Sequence, residues 1–118
     1  MKMVSTSDVL DRHLKAFAEY DVDGVVADYS SDAVLFLPRG PLKGPAAIKP
    51  FFEALISEFS KPGSSFKMQL RSIEGDYAYI LWTAETVDNS YEFATDTFVV
   101  RNGKIVAQSF AAKIKSKH

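Results

Sequence analysis

Cysteine is missing altogether from this 118-residue chain. That removes a disulfide scaffold, a thiolate metal site and a cysteine nucleophile together. An excess of charge is missing too: fourteen Lys and Arg stand against fifteen Asp and Glu, for a formal net charge of −1. Such balance gives no electrostatic basis for holding nucleic acid or an anionic membrane surface. No apolar run approaches the roughly 18 residues that a membrane span needs. The opening stretch Met1-Lys2-Met3-Val4-Ser5-Thr6-Ser7-Asp8 has no apolar segment of the kind found in a secretory signal. Histidine is scarce, and His13 and His118 without spaced carboxylates do not make a metal site. There is no glycine-rich phosphate loop and no nucleophile elbow. The expectation is a cytoplasmic, soluble domain with no metal, no cofactor and no nucleic-acid or membrane partner.

What the chain does have is apolar and aromatic material in order: 47% of residues are hydrophobic and 13% aromatic. A chain this long buries roughly two-thirds of its unfolded surface, enough for one core. We read one domain over residues 1–118, its core spanning about 8–114. After Ser5-Thr6-Ser7, which offers an N-cap, helical spacing from Asp8 to Tyr20 sets Leu10, His13, Leu14, Phe17 and Tyr20 on one face. Val22, Val25, Val26 and Tyr29 form the face of a short second helix, with Gly24 lowering its propensity. Ala33 to Leu37 reads as a strand covered on both sides. Pro38-Arg39-Gly40-Pro41 and Gly44-Pro45 mark a loop. Ile48, Phe51, Phe52, Leu55, Ile56 and Phe59 return to helical spacing; Pro50 predicts a helix starting near Lys49 after a helical turn from Pro45.

Past Pro62-Gly63 the period becomes two. Phe66 to Arg71 alternates like a half-buried strand, and Tyr77 to Val87, Tyr91 to Val100 and Lys104 to Ile114 follow, the last two joined by the hairpin signal Asn102-Gly103. Lys113, Lys115 and Lys117 read as a solvated tail. Helices first and an antiparallel meander after them give class α+β. The strand from Tyr77 carries Ala78, Ile80, Trp82 and Ala84 on one parity and Tyr77, Tyr79 and Leu81 on the other. The helices cover one set. A second copy of the chain is the simplest cover for the other, so the pattern predicts a homodimer.

Several strings in this order resemble the nuclear transport factor 2-like superfamily, in its SnoaL-like and ketosteroid-isomerase-like branch. They are Ala18-Glu19-Tyr20-Asp21-Val22-Asp23-Gly24, Tyr29-Ser30-Ser31-Asp32-Ala33, Gly44-Pro45-Ala46-Ala47-Ile48 and the run from Asp96 to Val106. The resemblance covers about Asp8 to Ile114. It implies the order α-α-β-α-β-β-β-β, with a cone-shaped curved mixed or antiparallel sheet around an apolar pocket, and commonly a dimer. One such fold hosts isomerases, cyclases, dehydratases and proteins without chemistry.

The resemblance also singles out residues. His13 falls where the isomerases keep a tyrosine that donates to the substrate oxyanion, and Asp96 falls where they keep a protonated aspartic acid. From the residues themselves, a histidine on an apolar helix stripe and an aspartate in mid-strand each ask for a partner if buried. Together they suggest a catalytic dyad within hydrogen-bonding reach, directly or through one water. The isomerases' base precedes a proline at the end of the first strand, where this chain has Leu37-Pro38. Leucine moves no proton, so steroid-type isomerisation is not expected. Asp28 and Asp32 read as helix-end and turn residues. Strand parity with Asp96 adds Ala94 and Phe98 to the pocket. The neighbouring strands add Ile80, Trp82, Gln108 and Phe110. Phe17, Phe52, Leu55, Tyr29 and Leu37 complete the expected substrate-binding wall. Arg39 and Lys43 stand at the mouth. The chain is thus read as a pocket protein for a small apolar organic ligand, with proton-transfer chemistry of isomerase, dehydratase or cyclase type. The alternatives are a non-catalytic ligand-binding protein and a dimeric interaction module.

Overall fold

The computed structural model describes residues 4–118; Met1, Lys2 and Met3, which open the stretch read for a targeting signal, lie outside them. The elements run α1 (Thr6–Ala18), α2 (Val22–Val26), β1 (Tyr29–Leu37), β2 (Gly40–Lys43), α3 (Pro45–Phe59), β3 (Ser65–Glu74), β4 (Tyr77–Glu85), β5 (Asn89–Arg101) and β6 (Lys104–Ser116). All six strands join one curved, unclosed sheet in the order β2-β1-β6-β5-β4-β3. β1 runs parallel to β6, and every other pair is antiparallel. The class is α+β with a mixed sheet, and the helices cover its inner face.

A capping box starts α1. The Asp8 N–H donates to the Ser5 hydroxyl at 3.0 Å, and the Ser5 N–H donates to the Asp8 carboxylate at 3.3 Å. Val9, Leu10, His13 and Ala16 form its buried face. Tyr20 does not share that face. The helix ends at Ala18, and Tyr20 turns the chain with φ of +59°, 53% exposed. α2 is a single turn, so Tyr29 is the first residue of β1 rather than part of a helical face.

The loop expected after Leu37 is instead a hairpin. Pro38 and Arg39 make the turn, and Gly40 to Lys43 pair back onto β1. β2 is an edge strand, where the missing N–H of Pro41 is tolerated. α3 is likewise continuous from Pro45, with Pro50 inside it. An interior proline costs about 3 kcal/mol, but Ile48, Phe52, Ile56 and Phe59 are all buried on one face. At roughly 1.5–3 kcal/mol each, that burial outweighs the lost bond.

Inner residues Ala78, Ile80, Trp82 and Ala84 of β4 are buried, while Tyr77 lies exposed on the outer face with Tyr79 and Leu81 half-buried. In β1, Phe36 is 52% exposed between buried Leu35 and Leu37. The cover expected on both sides of β1 is therefore not supplied within one chain. β3, expected to be half-buried, is mostly exposed, because as an edge strand it reaches past the helices. At the other end β6 continues to Ser116, and Lys117 is no free tail: its Nζ donates to the Thr86 carbonyl at 2.7 Å and pairs with Glu85 at 2.8 Å.

Candidate active site

α1 and α3 lie over β4, β5 and β6 and enclose a cavity of about 60 Å³, room for a few water molecules. His13 and Phe17 reach it from α1, Phe52 and Leu55 from α3. Ile80 and Trp82 of β4, Asp96 and Phe98 of β5, and Gln108 and Phe110 of β6 complete the expected lining. Leu14 and Phe51, expected on apolar helix faces but not in the pocket wall, line it as well, as does Phe66 of β3. Three expected pocket residues, Tyr29, Leu37 and Ala94, stand elsewhere. Tyr29 lies behind His13, and Leu37 belongs to an outer groove of about 370 Å³ that meets the cavity at Phe51, Leu55 and Phe110. Arg39 lines that groove; Lys43 does not. Ala94, though fully buried, does not line the cavity.

The polar corner of the cavity is a continuous chain of side chains, buried from Trp82 to Asp28 and ending at the half-exposed Arg12. The Trp82 indole N–H donates to Asp96 Oδ2 at 2.9 Å, and the Gln108 amide donates to Asp96 Oδ1 at 2.8 Å. The Tyr29 hydroxyl bonds to Gln108 Oε1 and lies 3.3 Å from His13 Nε2. His13 Nδ1 stands 3.1 Å from Asp28 Oδ2, and Arg12 Nε donates to Asp28 Oδ1 at 2.6 Å. Tyr29, Phe52 and Phe98 meet the His13 ring edge-on. Among the described residues no buried side-chain nitrogen or oxygen is left without a partner.

The expected pairing of His13 with Asp96 therefore takes another form. Both face one cavity, but Tyr29 and Gln108 stand between them. Asp28, which ends the α2 turn as expected but is only 2% exposed, is the carboxylate that holds His13. Sequence offered no signal for it, because an aspartate after a short helix is ordinary. Both ring nitrogens of His13 are committed to protein groups, so the Asp96 carboxyl is the titratable group that can offer a lone pair or proton to a ligand.

Electrostatics separate the two carboxyls. Burial among aromatic rings pushes Asp96 up to about 6, against the Trp82 and Gln108 hydrogen bonds and the charge of His13, which pull it down. At Asp28 burial also disfavours the charge, but hydrogen bonds and charge attraction from His13 and Arg12 prevail and hold its pKa below the ordinary value. Burial, then the charges of Asp96 and Asp28, raise Tyr29 well above a free tyrosine, so its hydroxyl stays protonated. Among the described residues no three His, Asp or Glu side chains converge as a metal site requires, and no helix is long and apolar enough to cross a membrane.

This architecture recurs in solved structures. An NTF2-like protein of unknown function from Cytophaga hutchinsonii superposes with a TM-score of 0.74 at 11% identity, over 95% of this chain and 93% of its own. A candidate polyketide cyclase from Sinorhizobium meliloti gives 0.73 at 18% identity, over 88% and 94%. A candidate ketosteroid isomerase from Kribbella flavida gives 0.75 at 13% identity, over 94% and 81%. At these identities the likeness is one of fold. Among curated protein sequences none matches this chain. The SnoaL-like domain model, by contrast, matches residues 10–108, spanning α1 through Gln108, and the chain belongs to that family.

Proposed function

We propose that the protein binds a small, mostly apolar, oxygenated ligand and moves a proton on it, with Asp96 as the acid–base group. The observation that carries this is a carboxyl in an apolar cavity, pushed up to about 6, close to where a general acid or base works best. As a carboxylate it can take a proton from carbon beside a carbonyl; as an acid it can return that proton to the same ligand. Trp82 and Gln108 fix its plane by one donor on each oxygen. His13, held by Asp28 and Tyr29, acts on Asp96 by charge rather than on the ligand. Structural neighbours described as candidate cyclase and isomerase fit this class of reaction. Leu37 supplies no second base, so a steroid-type 1,3 shift is not part of the reading. We also propose that two chains pack through the outer sheet face, where Phe36, Leu70 and Tyr77 are each about half exposed.

The test is proton–deuteron exchange at the α-carbon of cyclic enones and aryl ketones, followed by NMR in D2O. Exchange above buffer that disappears in Asp96→Asn is the expected result. Ligand-induced shifts at Phe98 and Phe110 without any exchange would refute catalysis and leave the non-catalytic binding reading.

A further inference from the structure

We propose that Tyr29 and Gln108 form a reversible hydrogen-bond relay that makes His13 and Asp96 share one proton, with the Gln108 amide turning over according to which end holds it. This deepens the acid–base reading of Asp96, but it concerns the ligand-free protein and stands or falls without turnover.

Donors and acceptors limit which arrangements this corner can adopt. Asp28 is held as a carboxylate by Arg12, so His13 Nδ1 must carry a hydrogen toward it. Tyr29 has one proton to give and two neighbours, His13 Nε2 and the Gln108 amide. If that proton points at Gln108 Oε1, His13 Nε2 must itself carry a hydrogen and donate to the Tyr29 oxygen. The Gln108 NH2 then faces Asp96, which accepts as a carboxylate along with the Trp82 donor. If instead the Tyr29 proton points at Nε2, the ring holds only its Nδ1 hydrogen. The Gln108 amide is then turned, its NH2 donating to the Tyr29 oxygen and its Oε1 accepting from a protonated Asp96.

The two arrangements contain the same number of protons. One has left Nε2 of His13 and resides on an oxygen of Asp96; nothing is oxidised and the net charge is unchanged. Each satisfies every contact. Removing that shared proton altogether does not: a His13 Nε2 lone pair would face the Tyr29 oxygen, or a Gln108 carbonyl would face the Asp96 carboxylate. An unmade contact among groups this buried is costly. His13, Tyr29, Asp96 and Gln108 are all 7% exposed or less, and separations of 3.3 Å between Tyr29 and His13 and 2.8 Å between Gln108 and Asp96 leave no room for a water between the partners.

The charged and titratable groups facing the relay are few. α1 brings Arg12 and His13, the α2–β1 junction brings Asp28 and Tyr29, and β5 brings Asp96. α3 presents Phe52 to the His13 ring, β4 presents Trp82 to Asp96, and β6 presents Gln108. Tyr29 and Gln108 are positioning residues here, since they act through Asp96 and not on a ligand.

The experiment is an NMR titration of the ligand-free protein from pH 4 to 8, following the 15N signals of the His13 ring and the 13C signal of the Asp96 carboxyl. In the wild type the Asp96 transition is expected to appear in the His13 ring signals at the same pH, as coupled sites require. Tyr29→Phe removes the shared hydroxyl, and Gln108→Met removes the amide at similar size. In both, the Asp96 step in the His13 signals should shrink to the small residue that charge alone leaves, and in Tyr29→Phe the Asp96 transition should rise by about one pH unit, because the freed Gln108 carbonyl accepts from the acid form. The backbone amide spectrum shows whether each variant keeps the fold, and either variant suffices. A wild-type His13 that ignores the Asp96 transition, or a folded variant that keeps the shared step at full size, overturns the relay.

Discussion

Replacing Asp96 by asparagine should stabilise this protein at alkaline pH and not at acid pH. In the folded state the carboxyl titrates at about 6 against an ordinary 3.8. Below pH 3.8 folded and unfolded chains both hold the proton, and burial of the neutral acid carries no ionisation penalty. Between 3.8 and about 6 the unfolded chain gives up a proton that the folded chain keeps, so stability falls as the pH rises through that window. Above it the penalty is constant, at roughly 3 kcal/mol for a displacement of that size. Asp96 is only 7% exposed, so solvent screening removes little of this figure. Asn removes the penalty but meets two donors, Trp82 and Gln108, with one acceptor. Gln108 can turn its amide, leaving about 1 kcal/mol lost at one contact. The expected net gain in Asp96→Asn is therefore about 2 kcal/mol at pH 8, shrinking to a small loss near pH 4. Urea unfolding at pH 4, 6 and 8, read by fluorescence of the single tryptophan, measures it. A difference between wild type and variant that does not change with pH, or a loss at pH 8, would refute the placement of a hard-to-ionise carboxyl in this cavity.

Asp28 carries the opposite sign. Its depressed pKa makes it stabilising above 3.8, and that contribution is lost as the pH falls through its folded value. Asp28→Asn should cost about 2 kcal/mol at pH 7, whereas Arg12→Ala, whose side chain is 48% exposed, should cost no more than about 1 kcal/mol, both measured by thermal melting. Light scattering at micromolar concentration should give the mass of two chains for the wild type and of one for Leu81→Lys, which places a charge on the outer sheet face; a wild-type mass of one chain removes the dimer.

The helical parts and the strand periods were legible because each rests on local chemistry. Ser5 and Asp8 cap α1 within three residues, and the alternation of Ala78, Ile80, Trp82 and Ala84 is written along one strand. β2 was not legible, since Gly40-Pro41-Leu42-Lys43 has turn composition and is a strand only because β1 offers it a free edge. Tyr20 and Tyr29 were misplaced for a related reason: helical spacing continues past the point where the cap geometry stops the helix. At the site, His13 and Asp96 were visible as polar residues interrupting apolar patterns. Their partners were not. Asp28 meets His13 across 15 residues, Gln108 meets Tyr29 across 79, and neither separation has a periodic signature. What the sequence could supply was each polar residue's need for a partner, and only the crossing of helix and sheet decides which partner arrives.

That crossing is itself fixed at one place. Asp28 and Tyr29 are consecutive, one ending the α2 turn and the other beginning β1, and between them they take both nitrogens of the His13 ring. Side chains of neighbouring strand residues point to opposite faces, so two consecutive residues reach one ring only where the chain changes direction. The change is pinned from outside. The Ile105 N–H donates to the Asp28 carbonyl at 2.8 Å, Tyr29 lies opposite Ile105 in the parallel pairing with β6, and the pairing is irregular between Tyr29 and Val34. Three residues after Ile105, the same β6 strand presents Gln108 to the Tyr29 hydroxyl. The parallel β1–β6 contact thus sets the positions of Asp28, Tyr29 and Gln108 at once. It is the one strand pair in the sheet that joins the N-terminal helical half to the C-terminal meander. The long-range pairing that joins the two halves of the sheet therefore also assembles the polar corner around His13, and a chain in which β6 kept its hairpin with β5 but did not pair with β1 would lack its candidate site.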